Sequence, residues 1–313
     1  MPDAGRRYAL ISPCRNEASF MRKTLDSVIA QSEPPELWVI VNDGSTDETG
    51  QILSEYSSQH EWIKVIAKSD RGHRAVGPGV ISAFYTGLDA VALEDFDFVC
   101  KLDVDLDLPR RYFEILMDRM HADPRLGSAS GKPYYRNKAG AWISEKCGDE
   151  MSVGMTKFYR VSCFQDIDGF VREVMWDGID CHKARQRGWV VRSWDEPELQ
   201  FHHLRPMGSS EHNILTGRAR HGFGQYFMGS DPVYFTATAF FRMTRPPYVV
   251  GGLAMLYGYA RAWCSRAPQL DDADLCAFIR AYQRQALIKG KAKTVAAIEA
   301  QQMPCWVGAH SGT

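Results

Sequence analysis

Three largely apolar runs, Tyr8–Ser12, Leu37–Val41 and Phe96–Leu102, each end in polar or acidic residues, and helix-like stripes separate them. This alternation constrains the fold more than any single residue does. A short apolar run without polar alternation suits a strand covered on both faces. After the first run, Met21, Leu25, Val28 and Ile29 recur at i, i+4, i+7 and i+8, the spacing of one buried helix face. Pro34-Pro35 ends that helix, and Ile63–Ile66 supplies a further strand. Val80, Ile81, Phe84, Leu88 and Val91 mark the next helix. Pro109 is expected to start another, with Asp107 as a helix-start residue just before it and Phe113, Leu116, Met117 and Met120 as its stripe. Strands joined through helices imply an α/β fold with a mostly parallel sheet and right-handed crossovers.

Finer signals are weaker. Ser45 and Glu48 match a capping-box pattern for the helix after the second strand. Lys132–Asp149 reads as a polar loop, and Lys157–Asp168 as a short strand entering a helix. Trp176–Arg187 is expected to be helical, closed by Gly188, with strands at Trp189–Ser193 and Leu199–His203. Beyond Leu204 the pattern becomes helical: Leu275, Phe278, Ile279 and Tyr282 form one stripe, and Thr294–Gln302 suggests a second helix. The expected division is therefore a catalytic domain over residues 1–203 and a helical extension over 204–313.

Charge is placed unevenly. Residues 204–313 hold twelve Lys/Arg against six Asp/Glu, a net of +6, so residues 1–203 carry −7 within an overall formal charge of −1. Such a balance gives no support for nucleic-acid binding. Eight cysteines without a C-x-x-C pair, and an N-terminus lacking a secretory apolar core, point to reduced thiols and a cytoplasmic setting. No segment supplies 18 uninterrupted apolar residues; Tyr248–Trp263 comes nearest and reads as a buried or interfacial helix.

The fourth strand runs into Asp103, Asp105 and Asp107, whose spacing of two would place them on one face of an extended chain. Like charges so placed repel unless a cation offsets them. Mg²⁺ suits the role, because it takes one or two carboxylates together with substrate oxygens. An acidic surface turn is the plainer alternative. Two further strand ends favour a site: Asp43 follows Leu37–Val41, and Pro13–Glu17 follows the first strand. In a parallel sheet all three open on the edge where ligands bind.

The segments Pro13–Glu17, Val41–Asp47 and Asp103–Asp105 match in order the P-x-x-N-E, V-x-D-x-S-x-D and D-x-D motifs. In this combination the chain resembles the family 2 glycosyltransferases of the GT-A (Rossmann-like) fold, over roughly residues 8–203. The resemblance implies an inverting enzyme that moves one sugar from a nucleotide-diphosphate donor to a saccharide or lipid-linked saccharide, in cell-envelope or exopolysaccharide assembly. Glu17 and Asp43 would contact the nucleoside, with Pro13 and Asn16 shaping the loop around it. Asp105 would hold Mn²⁺ or Mg²⁺, and Asp103 would lie nearer the ribose or a metal-bound water. Arg74 falls in a region often near the donor. Asp177, with Asp180 as its rival, would be the base, in a segment where Trp176 stands in place of the family's first acid. His203, or its neighbour His202, would join the metal, and Arg205 would neutralise the leaving diphosphate. The Q-x-x-R-W motif of processive members is absent, which favours single-sugar transfer.

Other readings are a polyprenyl-phosphate glycosyltransferase, a non-catalytic nucleotide-sugar-binding protein and a nucleotidyltransferase. After Leu204, aromatic residues alternate with basic ones, as in Phe240-Phe241-Arg242 and Tyr248–Tyr259. That composition suits peripheral association with the cytoplasmic face of a membrane. Packing of helices on the sheet, or an interface of a homo-oligomer, is the alternative.

Overall fold

The computed structural model describes residues 5–70, 72, 77–205 and 214–310. Contacts divide the chain into two compact units, Met1–Arg172 with Trp189–Pro206, and Glu173–Gly188 with Met207–Thr313.

The first unit runs β1 (Tyr8–Cys14), α1 (Ala18–Ile29), β2 (Leu37–Asp43), α2 (Thr49–Gln59), β3 (Ile63–Lys68), α3 (Pro78–Leu88) and β4 (Phe98–Leu102). It continues through β5 (Leu106–Asp107), α4 (Tyr112–Ala122), β6 (Leu126–Ser130), β7 (Lys132–Arg136), β8 (Trp142–Ser144), β9 (Thr156–Arg160) and α5 (Val161–Asp166). It closes with β10 (Val190–Ser193) and β11 (Gln200–His203). The main sheet has the order β10-β6-β9-β4-β1-β2-β3. Its β4-β1-β2-β3 portion is parallel, whereas β9 runs antiparallel to both β4 and β6. This is the mixed, mostly parallel α/β sheet expected from the alternation of runs.

Burial explains the arrangement. Leu10, Trp38, Ile40, Phe98 and Cys100 on the strands are fully enclosed, with Met21, Leu25, Phe113, Leu116 and Met117 of the flanking helices against them. The buried Trp38 indole donates to the Ser12 hydroxyl at 2.9 Å, so its one polar atom stays satisfied. Tyr112 does the same for two elements, accepting from the Gly131 amide at 2.7 Å and from the Thr156 hydroxyl at 3.3 Å.

A smaller sheet, β5-β11-β7-β8, stands beside the main one. The polar stretch read as a loop over Lys132–Asp149 thus contains β7 and β8, paired as an antiparallel hairpin. Asp107, expected at the start of a helix, lies instead in β5 opposite His202 and pairs with Lys23 at 3.2 Å, and the helix begins at Tyr112. The capping box is also replaced. Helix α2 starts at Thr49, whose amide donates to Asp47, while the Ser45 hydroxyl accepts from the Asn16 amide of another loop. A long-range partner outcompetes the local one.

The second unit comprises α6 (Trp176–Gln186), α7 (Ile214–Phe227), α8 (Pro232–Met243), α9 (Val250–Cys264), α10 (Ala273–Lys289) and α11 (Lys291–His310). Asp231 caps α8 by accepting from the Val233 and Tyr234 amides and holds Arg284 at 2.6 Å. Tyr259 of α9 stacks on Phe235 of α8 with centroids 4.3 Å apart, and Arg185 of α6 lies buried over the Tyr282 ring of α10.

Gly131, between β6 and β7, tests this packing. A Cβ there would lie 1.8 Å from the Leu199 carbonyl oxygen, which is backbone and cannot swing away. Gly131→Ala should therefore destabilise the protein by about 1–3 kcal/mol, seen as a lower urea midpoint at unchanged slope.

Candidate active site at the carboxyl edge of the sheet

The ends of β1, β2 and β4 open on one edge because these strands are mutually parallel and adjacent. The loops after β1 and β2 are stitched together by side chains. Asn16 has a positive φ of 54°, a conformation that Asn tolerates better than most residues. Its side-chain oxygen accepts from the Thr46 amide at 2.8 Å, and the Glu17 amide donates to the Thr49 hydroxyl at 2.9 Å. Gly44 has φ of +71°, and a Cβ on it would fall 2.5 Å from the Asp70 Cα. Arg15 spans the same region, donating to the Asp43 carbonyl at 2.6 Å and pairing with Asp70 at 2.5 Å. Asp43 is buried, with Lys68 3.8 Å from its carboxylate. Pro13, in β1 opposite Val41, leads the chain into this loop.

The next group is assembled by strand register. β11 pairs antiparallel with β5, His203 standing opposite Leu106, and the Leu204 amide donates to the Asp105 carbonyl at 2.9 Å. That pairing brings His203 and Arg205 to Asp105, about a hundred residues away in sequence. Arg205 donates through Nε to Asp105 Oδ2 at 2.7 Å and through Nη2 to Glu17 Oε1 at 2.8 Å. His203 Nε2 lies 3.5 Å from Asp105 Oδ2, and its Nδ1 lies 2.8 Å from Glu145 Oε2. Glu17, Asp105 and His203 are all buried.

Electrostatics follows from this packing. Burial alone would raise the Asp105 carboxyl, but the hydrogen bond to His203 and the charge of Arg205 hold it below the usual carboxylate range. Asp103 goes the other way: burial and the nearby Asp105 charge raise it, although Lys101 pairs with it at 2.5 Å. Burial would lower His203, yet its contacts with Asp105 and Glu145 raise it to about 9.

The donor set suits a hard or borderline divalent cation. Asp105 Oδ1 is buried and accepts no hydrogen bond among the described residues. His203 turns Nε2 to the same carboxylate while Glu145 engages Nδ1, the arrangement that orients metal-binding histidines. Among the described residues no three His, Cys, Asp or Glu side chains form a ready-made cage. Ions that complete their shell with substrate oxygens do not require one.

Residues 9–166, half of the chain, match the sequence profile of "Glycosyl transferase family 2". The chain belongs to that family. Curated relatives include the poly-beta-1,6-N-acetyl-D-glucosamine synthases of Staphylococcus epidermidis, 29% identical over 127 residues, and of Staphylococcus aureus strain COL, 32% identical over 127 residues. Each match covers 40% of this chain and 28% of the relative's length. Among solved structures, S. aureus TarS 1-349 in complex with UDP is similar at 15% identity and TM-score 0.50, over 95% of this chain and 91% of that one. GalNAc-T7 with UDP, GalNAc and Mn²⁺ is similar at 13% identity and TM-score 0.53, over 84% and 55%. These likenesses show the shared GT-A fold.

In this family 2 chain the structure brings together Glu17, Asp103, Asp105, His203 and Arg205 within the first unit, with the Asp43 and Asn16 loops at the same strand edge. His202 points to the other face of β11 and lies against Trp142, with ring centroids 5.0 Å apart. Arg74 lies outside the described residues. Asp177 and Asp180 belong to the second unit, on α6, where Asp180 is buried and Asp177 half-buried in the first turn. Glu145, just after β8, escaped sequence reasoning. It sits in a polar stretch without periodicity, and only the hairpin carries it to His203.

Charged His203 stabilises the fold fully below its ordinary value near 6.5, and that contribution is lost as pH rises through about 9. His203→Gln should flatten the fall in melting temperature over this range. Glu145→Gln should move the His203 titration, followed by NMR, downward from about 9.

Proposed function

We propose that this chain is an inverting glycosyltransferase that moves one sugar from a nucleotide-diphosphate donor to a saccharide or lipid-linked saccharide acceptor in cell-envelope polysaccharide assembly. One observation supports this reading most: a buried carboxylate at a strand end, Asp105, shares a single oxygen between Arg205 and His203, beside the nucleoside-side residue Glu17. Such a cluster has the charges needed to grip a diphosphate and a cation together.

The nucleoside would lie along the β1 and β2 loops, with Asp43 and Glu17 accepting from its polar groups and Asn16 and Pro13 holding the loop shape. Mn²⁺ or Mg²⁺ would be held by Asp105 and His203, with Asp103 nearby, and would offset the charge that grows on the departing diphosphate. Arg205 turns from its carboxylate partners toward the phosphates, a planar, bidentate donor suited to them. Asp177 acts as the base that takes the acceptor hydroxyl proton as the new C–O bond forms. It is preferred over Asp180 because Asp180 is 1% exposed and Asp177 is more accessible. The names of the curated relatives, together with the UDP bound in the similar TarS structure, make a UDP-linked N-acetylglucosamine the first donor to try.

Thermal shift with UDP-, GDP- and dTDP-sugars, with and without Mn²⁺, tests the assignment. The correct donor with Mn²⁺ should raise the melting temperature by mass action, and Asp105→Ala should abolish the rise. Asp177→Asn should keep that rise while lowering transfer by at least about a hundredfold. Transfer that persists in the Asp105→Ala, Asp177→Asn double variant would overturn the roles given to both residues.

A further inference from the structure

Helix α9 is built inside out for an aqueous surface. Its inward face carries glycines: a Cβ on Gly258 would lie 1.9 Å from the Ala219 carbonyl oxygen of α7, and one on Gly252 would lie 2.5 Å from that of Ala239 in α8. From the other side, a Cβ on Gly222 of α7 would lie 1.9 Å from the Met255 carbonyl oxygen. Small residues let these backbones approach closely, as they do where helices associate in lipid. The outward face carries the bulk. Val250, Leu253 and Tyr257 follow one another at i, i+3 and i+7, all about half or more exposed, with Trp263 further along. On α8, Phe240 and Phe241 are 58% and 62% exposed, whereas Phe235 and Ala239 face inward. An apolar face of this extent calls for a cover.

The charge around it selects the cover. From Pro232 to Leu270 the chain contains no Asp, Glu or Lys and four arginines, Arg242, Arg245, Arg261 and Arg266. None of the four is ion-paired among the described residues; Arg242 donates to the Pro246 carbonyl, and Arg245 lies over the Phe241 ring, 5.4 Å from its centroid. Burial and the adjacent Arg245 push Arg242 below its ordinary value, a sign of positive charge without compensation. A second copy docked on the same face through a two-fold axis would press these arginines against their own kind. A negatively charged sheet of headgroups would neutralise them and receive the aromatic side chains.

We propose that the outer faces of α8 and α9 dock on an anionic lipid surface, with Phe240, Phe241, Tyr257 and Trp263 entering the headgroup region and the arginines contacting lipid phosphates. This docking surface stands independently of the glycosyl-transfer reading, because its residues lie wholly in the second unit.

Co-sedimentation of the full chain with vesicles tests it. Phosphatidylcholine vesicles doped with phosphatidylglycerol should retain the protein, pure phosphatidylcholine should retain far less, and salt should weaken the binding. Phe241→Ser with Tyr257→Ser, and separately Arg245→Glu with Arg261→Glu, should each lower the partition coefficient by about tenfold while leaving the circular dichroism spectrum and melting temperature unchanged. The arginine pair is exposed, so it remains informative if the apolar pair impairs folding. Equal binding to both vesicle types would overturn the proposal. So would wild-type binding by the folded arginine variant, or sedimentation as a dimer that the same substitutions dissociate without any vesicle binding.

Discussion

Burial of the Asp105 carboxylate is the constraint around which the first unit is organised. A lone carboxylate taken out of water is strongly disfavoured, so its neighbours must supply charge and hydrogen bonds. His203 at the end of β11 and Arg205 just beyond it do so, and Arg205 reaches on to Glu17 after β1. The ends of two strands of the main sheet are thereby tied to a strand of the smaller sheet. Glu145 extends the chain of contacts by holding the far nitrogen of His203. Four segments distant in sequence meet because one negative charge has to be balanced.

The same cluster is suited to change its partners. In this structure one arginine bridges Asp105 and Glu17, and one histidine lies between Asp105 and Glu145. A phosphate would compete for Arg205, and a divalent cation would take over the compensation of Asp105. Positive groups near a strand edge would then act first to stabilise the fold and afterwards to bind an anion. The neighbouring loops are held more rigidly, through Asn16, Ser45, Asp47 and Gly44, whose backbone positions leave little freedom.

Periodicity made the central sheet legible. Continuous apolar runs announced β1, β2 and β4 because both faces of those strands are buried, and spacing of three and four announced α1, α3 and α4. Of the smaller sheet only β11 was legible, as the run Leu199–His203; β5, β7 and β8 were not. Those strands are short and half polar, and Lys132–Arg136 or Trp142–Ser144 offers no alternation that separates it from a loop. The capping-box reading of Ser45 and Glu48 failed because Ser45 satisfies the Asn16 amide across the loop pair. Asp107 looked like a helix-start residue only while its strand partner in β11 was unseen.

The amino-acid sequence by itself determined the alternation of strands and helices, the parallel sheet and the strand-end carboxylates, since hydrophobic period and local turn chemistry act over a few residues. Family membership was legible there too, in the ordered motifs from Pro13 to Asp105. Tertiary structure alone decided that His203 rather than His202 faces Asp105, that Arg205 bridges Asp105 and Glu17, and that Glu145 stands behind His203. It also decided that the glycines of α9 turn inward and its aromatic residues outward. The physical reason is common to all of these: strand register and helix rotation are set by partners far away in the chain, where no local pattern records them.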